Sequence, residues 1–236
     1  MSLGRPRLAL TLGDAAGIGP ELALRMVSDP RIARLCQLLI YGNQALLQRV
    51  ARASGVAWPR DWHVYPRSDD AAAPSVASDT PVLFDFPFAE AANVLPGRVQ
   101  AACGRQAHTW ICAAVRDIQA GSADGLVTAP INKAALHAAG VNVPGHTELL
   151  AGLTGGATPC MAFHADRLFV ALATIHEALR DVPGLLTVPG LLHTIRLTSA
   201  ACARLNGAAP RIAVLALNPH AGEGGLFGST QRLAAQ

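Results

Sequence analysis

The residues that could do chemistry in this chain come directly after short apolar runs. Four segments have this form: LALTLGDAAGIGPE (8–21), GLVTAPINK (125–133), LFVALATIHEALRD (168–181) and RIAVLALNPHAGEGG (211–225). A short run of Leu, Val, Ile and Ala fits a strand buried on both faces, and open α/β sheets bind ligands beyond the carboxyl ends of such strands. The pattern predicts an α/β protein whose functional residues follow its strands.

Two histidines are candidate metal ligands. His176 follows a predicted strand at 168–174, and His220 lies in a Gly-rich loop after a predicted strand at 211–217. Two neutral imidazoles from neighbouring strand ends are the start of a zinc or other transition-metal site, which needs at least one more protein ligand. We therefore expect His176 and His220 to lie close enough to share one ion. A purely structural role for His176 stays open.

Lys133 and Asp181 are the candidates for proton transfer. Lys133, in TAPINK, is the only lysine beside 18 arginines. An ammonium is a compact charge that burial can shift toward neutral, so a lone lysine in such a chain indicates a role that Arg cannot fill. Asp181 is the second candidate, and Glu223 and Asp181 are the acidic residues that remain as a general base for a hydrolase. A surface lysine remains the alternative for Lys133.

Two further segments are candidate anion sites. The segment PGHTE (144–148) begins a predicted helix, so His146 and Thr147 lie where exposed N–H groups attract a phosphate. The turn GDAAGIGPE (13–21) also joins a strand to a helix, but it has neither the G-x-G-x-x-G nor the G-K-[ST] fingerprint. A plain helix cap and a plain structural turn are the respective alternatives.

Hydrophobic spacing and caps place these residues on a series of elements. Strands are predicted at 7–13, 38–42, 125–129, 168–174 and 211–217. Helices are predicted at 20–27, 44–54, within 97–121, and at 131–139, 147–154 and 189–206. The polar, Pro- and Ala-rich segment 66–81 is predicted to be a peripheral loop.

Composition excludes two classes of partner. The mean hydropathy of +0.30 comes mostly from Ala, and no run approaches the roughly 18 apolar residues of a membrane span. The net charge of +3 is spread thinly, with few aromatic residues, so a nucleic-acid partner is not expected. The first residues lack a signal-peptide pattern, which predicts a cytoplasmic protein.

Taken in order, GDAAGIGPE, TAPINKAALHAAGVNVPGHTE, ALATIHEALRDV and LNPHAGEGG closely resemble the 4-hydroxythreonine-4-phosphate dehydrogenase family, including its paralogues that act on phosphorylated four-carbon acids. The resemblance spans residues 7–229. It implies a fold like that of isocitrate and isopropylmalate dehydrogenases, with two α/β/α domains, a cleft between them, and a second domain that is incomplete in this chain.

The resemblance also implies a reaction. NAD (or NADP) would oxidise a secondary alcohol beside a phosphate group, a divalent metal (Zn, Mg or Co) would assist, and the β-keto acid would decarboxylate. His176 and His220 correspond to two of the family's metal ligands, and His146 and Thr147 to its substrate contacts. The family acts as a homodimer whose site lies at the interface, with a third metal histidine from the partner subunit.

The chain departs from the family pattern at two places. Ala15 stands where the family has Pro, a mild change. The family's third histidine and a Lys, Asn and Arg that hold the substrate lie further toward the C-terminus and are not in this chain. We therefore expect a C-terminally incomplete chain that, alone, has negligible dehydrogenase turnover.

Three other functions stay open from the sequence. The first is a catabolic paralogue acting on 4-phospho-erythronate or 4-phospho-threonate. The second is a non-catalytic fragment that only binds anions. The third is a metal-dependent hydrolase that uses the same histidines to activate water. A branch of the family that oxidises aromatic dihydrodiols fits less well, because PGHTE favours a phosphorylated substrate.

Overall fold

Five apolar segments pair into one parallel sheet whose strand order is β3-β4-β2-β1-β5. The strands are β1 (Arg7–Thr11), β2 (Gln37–Gly42), β3 (His63–Pro66), β4 (Val82–Asp85) and β5 (Gly125–Thr128). The structure, a computed structural model, describes residues 5–69, 79–156, 158–166 and 168–227. The sheet belongs to a unit formed by residues 1–157, and residues 158–236 form a second unit. A parallel α/β fold is thereby confirmed.

Six helices accompany this sheet among the residues described in the first unit: α1 (Gly19–Val27), α2 (Pro30–Leu35), α3 (Gln44–Ser54), α4 (Ala101–Gln119), α5 (Lys133–Ala138) and α6 (His146–Leu153). Parallel strands are joined by right-handed crossovers. The connections that leave β1 and β2 run toward the β3 edge of the sheet, whereas the connection that leaves β4 runs toward the β5 edge. Helices α1 and α3 therefore cover one face of the sheet, and α4 covers the other. The helices α5 and α6 pack against α4.

The sheet core explains why these segments fold as predicted. Every residue of β2 is buried, as expected for a strand covered on both faces. Asn43 caps α3, since its side-chain oxygen accepts a 2.9 Å hydrogen bond from Leu46 N, and Gly55 ends the helix with φ +68°. The predicted elements β1, β2, β5, α1, α3, α4, α5 and α6 are confirmed to within a few residues.

A buried ion pair ties the β3–β4 edge of the sheet to α4. Arg67 donates from Nη2 to Asp117 Oδ1 at 2.8 Å, and the Tyr41 hydroxyl donates to Asp117 Oδ2 at 2.6 Å. The guanidinium lies over three aromatic rings, those of Tyr41, Phe84 and Phe86. Burial, and then the hydrogen bond to Asp117, raise the pKa of Tyr41 far above its usual range. Arg67 lies in the segment 66–81 predicted as a loop, of which Pro66 belongs to β3 and residues 70–78 lie outside the described residues.

The second unit confirms the helix predicted at 189–206 but differs from the sequence prediction in its strands. Its strands β6 (Ala162–Ala165) and β7 (Leu168–Ala171) form an antiparallel pair, and its helices are α7 (Val182–Leu185) and α8 (Val188–Asn206). The predicted strand 168–174 therefore ends at Ala171, and none of its residues is buried. The prediction of a strand at 211–217 is wrong, because these residues are exposed and have no strand partner among the described residues.

The described helices fall short of a membrane span in length or in hydropathy. The longest, α4 and α8, have 19 residues each. Neither these nor any other described helix is both long and apolar enough to cross a membrane.

Candidate functional site

The carboxyl ends of β1 and β5 lie side by side, and the connections that follow them leave toward opposite faces of the sheet. This is a topological switch point, where open α/β sheets place their ligands. The two connections touch, since Asp14 N donates to Pro130 O at 2.9 Å. Gly13 permits this approach, because its φ is +65° and a Cβ there would lie 2.3 Å from Pro130 O. The GDAAGIGPE turn thus has a clear structural role.

Lys133 is the first residue of α5, which begins five residues after the end of β5. The preceding residue, Asn132, caps the helix by accepting a hydrogen bond from Ala135 N at 3.1 Å. This cap fixes the direction in which Lys133 leaves the sheet. The lysine side chain is exposed and forms no ion pair within 4 Å in the part of the chain that the structure describes.

The Lys133 side chain reaches the N-terminus of α6. A Cβ built on Gly145, the N-cap residue of α6, would lie 3.5 Å from Lys133 Cε and 3.7 Å from Nζ. The same point would lie 3.4 Å from Glu148 Oε2. Gly145 therefore lies against the side chains of Lys133 and Glu148, which carry opposite charges.

His146 is the first residue of α6 and carries a buried atom without a partner. Its Nε2 is shielded from solvent and forms no hydrogen bond with any described residue. Burial lowers the pKa of the imidazole below its usual value, so the ring is neutral at pH 7. A buried polar atom without a partner is costly, and a ligand that bonds to it would relieve this cost.

Thr147 follows in the first turn of the same helix and is half-buried. Gly145 has no side chain to cap the helix. Among the described residues, the N–H groups of Thr147 and Glu148 have no hydrogen-bond acceptor. Such N–H groups attract anions. Lys133, His146 and Thr147 thus form one group at the switch point, as their predicted roles require.

The second unit holds the two predicted metal ligands. His176 and His220 are exposed, and neither imidazole has a hydrogen-bond partner among the residues that the structure describes. Both have left-handed backbone, with φ of 57° and 52°, which is uncommon for residues other than Gly and is typical of functional sites. Two imidazoles without hydrogen-bond partners suit a transition metal.

The premise that both histidines follow strand ends is wrong. β7 ends five residues before His176, and residues 211–217 before His220 form no strand. Across the described residues, no group of three or more His, Cys, Asp or Glu side chains is arranged to hold a metal ion. That His176 and His220 share an ion stays a prediction.

Asp181 lies in the second unit at the N-cap of α7. Its carboxylate is exposed and lies 3.6 Å from Arg180 Nε. The side chain of Asp181 does not accept a hydrogen bond from the short helix that follows. Its predicted role in proton transfer stays a prediction.

Sequence reasoning did not single out Gly145 and Glu148. Both lie in the PGHTE segment, where attention went to His146 and Thr147. The signal that could have indicated Glu148 is its place three residues after the N-cap, from which a Glu side chain reaches back toward the start of the helix.

A match to a family model shows which protein family this chain belongs to. Residues 34–234 match the family model described as pyridoxal phosphate biosynthetic protein PdxA. The chain belongs to the PdxA family. This confirms the resemblance inferred from the four motifs.

Relatives and solved structures agree with this assignment. The chain is 39% identical over 227 residues to 4-hydroxythreonine-4-phosphate dehydrogenase of Geobacter metallireducens, covering 96% of this chain and 66% of that protein. It is 36% identical over 225 residues to D-threonate 4-phosphate dehydrogenase of Salmonella typhimurium, covering 95% and 67%. The crystal structure of 4-hydroxythreonine-4-phosphate dehydrogenase from Klebsiella pneumoniae matches with a TM-score of 0.81 and 32% identity, over 96% of this chain and 68% of that one. The chain spans about two thirds of the length of these proteins.

Proposed function

We propose that the protein is an NAD- or NADP-dependent dehydrogenase that oxidises the secondary alcohol of a phosphorylated hydroxy acid, after which the β-keto acid loses CO2. The observation that carries this proposal is the unpartnered, buried His146 Nε2 at the start of α6, with the Lys133 side chain against the preceding residue, Gly145. Membership of the PdxA family, whose named relatives are dehydrogenases, supports it.

The first unit supplies the substrate contacts in this proposal. The neutral His146 ring can donate to or accept from a substrate oxygen through Nε2. The free N–H groups of the first turn of α6 favour an anionic group, and Lys133 adds a positive charge at the same place. Asp181 in the second unit would take up the proton of the hydroxyl that is oxidised, or Lys133 would do so after losing its own proton.

The second unit supplies the metal ligands. His176 and His220 would hold a divalent metal (Zn, Mg or Co). A bound metal would supply Lewis acidity toward a substrate hydroxyl, and bound NAD would supply the hydride acceptor. In this proposal the protein is cytoplasmic and has the two-domain architecture of isocitrate dehydrogenase. It acts as a homodimer whose site lies at the subunit interface. No described residue is assigned to NAD, since the chain carries no dinucleotide fingerprint.

The names of the relatives give two different substrates, 4-hydroxythreonine 4-phosphate and D-threonate 4-phosphate. We place the first as the proposed substrate because the PdxA family model covers most of the chain. D-threonate or erythronate 4-phosphate is the second candidate, favoured by the 36% identity to the Salmonella typhimurium enzyme.

A turnover assay on the full protein tests this function. NADH or NADPH formation and CO2 release are followed for each phosphorylated four-carbon acid, with and without a chelator. We expect turnover of roughly 1 per second or more with one of the acids, in the range of ordinary enzymes, and its loss on chelation. Product that forms without NAD or NADP would indicate the hydrolase instead, and binding without any product would indicate an anion-binding protein.

A further inference from the structure

The helix that carries Lys133 lies directly against the backbone of α4 at Gly104. Gly104 is buried, and a Cβ built on it would lie 2.0 Å from Ala135 O, 2.3 Å from Ala135 C and 2.7 Å from Leu136 N. These three atoms belong to the α5 backbone, which no change of side-chain rotamer can move aside. Real Cβ atoms essentially never come closer than 3.0 Å to another atom, so only glycine permits this approach of the two helices.

The structure on either side of this contact is fixed. Helix α4 is held against the sheet by its buried ion pair and by Trp110, which is fully buried. The connection that leads into α5 is held at Pro130, whose carbonyl oxygen accepts a 2.9 Å hydrogen bond from the Gly-rich turn. A side chain at Gly104 would therefore push α5 away by about 1 Å, the difference between 2.0 Å and 3.0 Å. This movement falls on the few residues after Pro130, which include Lys133.

The helix that carries His146 is held at a different place on α4. Leu149 of α6 packs against Ile111 and Val115 of α4 in a small buried apolar cluster. Gly104 and Ile111 are two helical turns apart, about 10 Å along the α4 axis. Helix α4 thus supports α5 and α6 at separate points, so a change at Gly104 moves Lys133 relative to His146.

We propose that Gly104 is a positioning residue whose contact with the α5 backbone, together with the Asn132 cap, holds the Lys133 ammonium in reach of a substrate bound at His146. The inference rests on the proposed function and adds a residue that does not itself touch the substrate. A displacement of about 1 Å is enough to matter, because an N–H···O bond of about 2.9 Å stretched by that amount is no longer a hydrogen bond.

Calorimetric titrations of the full protein with 4-hydroxythreonine 4-phosphate and with D-threonate 4-phosphate test the inference. A chelator is present and NAD is omitted, so that neither the metal nor turnover contributes. We expect Lys133→Met and Gly104→Ala each to weaken binding about 10-fold or more, because each removes a charge-assisted hydrogen bond to the ligand.

The double variant separates positioning from general damage to the fold. If Gly104 acts through Lys133, Gly104→Ala should weaken binding less than about 2-fold further in a protein that already carries Lys133→Met. A general structural defect would instead weaken binding by the same factor in both backgrounds. The matched control is Gly152→Ala, where no atom lies within 4 Å of the added Cβ and the affinity should not change.

The variant Asn132→Ala disturbs the same end of α5 without crowding the core. It removes the cap that accepts the 3.1 Å hydrogen bond from Ala135 N. We expect binding about 3-fold weaker or more in the wild-type background, since a lost cap loosens the first turn that carries Lys133. In the Lys133→Met background the further loss should again stay below about 2-fold. This variant gives the result if Gly104→Ala does not fold.

The outcomes separate this inference from the proposed function. A folded Gly104→Ala protein, or in its absence Asn132→Ala, that binds both acids as tightly as the wild type would overturn the inference while leaving the dehydrogenase proposal standing. The same holds if the loss of affinity is equal with and without Lys133, or if Lys133→Met binds as tightly as the wild type. A wild-type protein that binds no phosphorylated compound would contradict the proposed function as well.

Discussion

At the scale of single residues, the state of His146 decides what the site can bind. A neutral imidazole with a buried, unpartnered Nε2 can bond to a substrate oxygen without a second counter-charge in the site. The cause of its neutrality is burial, which disfavours the charged ring. Lys133 is then the cation that the structure places at this helix N-terminus.

The lowered pKa of His146 predicts a pH dependence of stability. Below the unfolded-state value of about 6.5, the unfolded chain binds a proton that the folded chain does not, so the free energy of unfolding falls as the pH drops from 7 through the folded pKa. His146→Gln should show a smaller fall in urea unfolding between pH 7.5 and 5.5. Unfolding at pH 8, where the ring is neutral in both states, provides the baseline. Parallel curves for the two proteins would contradict the assignment.

At the scale of elements, the buried Arg67–Asp117 pair positions α4 against the sheet. Removing one partner of a buried pair leaves an uncompensated charge, which costs about 3–5 kcal/mol. We expect Asp117→Ala to lower the free energy of unfolding by about that amount, and the double change Arg67→Met with Asp117→Leu to cost less than the single one. Denaturant titration measures both.

An exposed pair provides the control for this experiment. Glu21 and Arg25 form an i,i+4 pair on α1 at 2.8 Å, with both side chains partly exposed. Such a pair contributes about 1 kcal/mol or less, so Glu21→Gln should have a small effect. If Asp117→Ala costs no more than Glu21→Gln, the buried pair does not hold α4 in place.

The strands show which secondary structure could be predicted from apolar sequence patterns and which could not. Apolar runs predicted β1 and β2, which have paired strands on both sides, and the edge strand β5. The four-residue strands β3 and β4 were missed, although β5 is equally short and β4 lies inside the sheet. The run at 211–217 was wrongly predicted, because an apolar pattern records which side chains prefer burial and not whether a paired strand is available.

At the scale of the whole molecule, part of the site could be predicted from sequence and part could not. His146, Thr147 and Lys133 were found from motifs and from the unusual single lysine, and the switch point brings them together. The approach of Lys133 to Gly145 depends on how two separate helices pack, which no spacing rule records. The sharing of a metal by His176 and His220 stays a prediction, as do the cofactor and the dimer.

A crystal structure of the full protein with a phosphorylated hydroxy acid tests the central claim most directly. The account predicts the ligand at the N-terminus of α6, with one of its oxygens within hydrogen-bond distance of His146 Nε2 and another near Lys133 Nζ. A phosphorylated hydroxy acid bound elsewhere, with His146 Nε2 still lacking a partner, would contradict it.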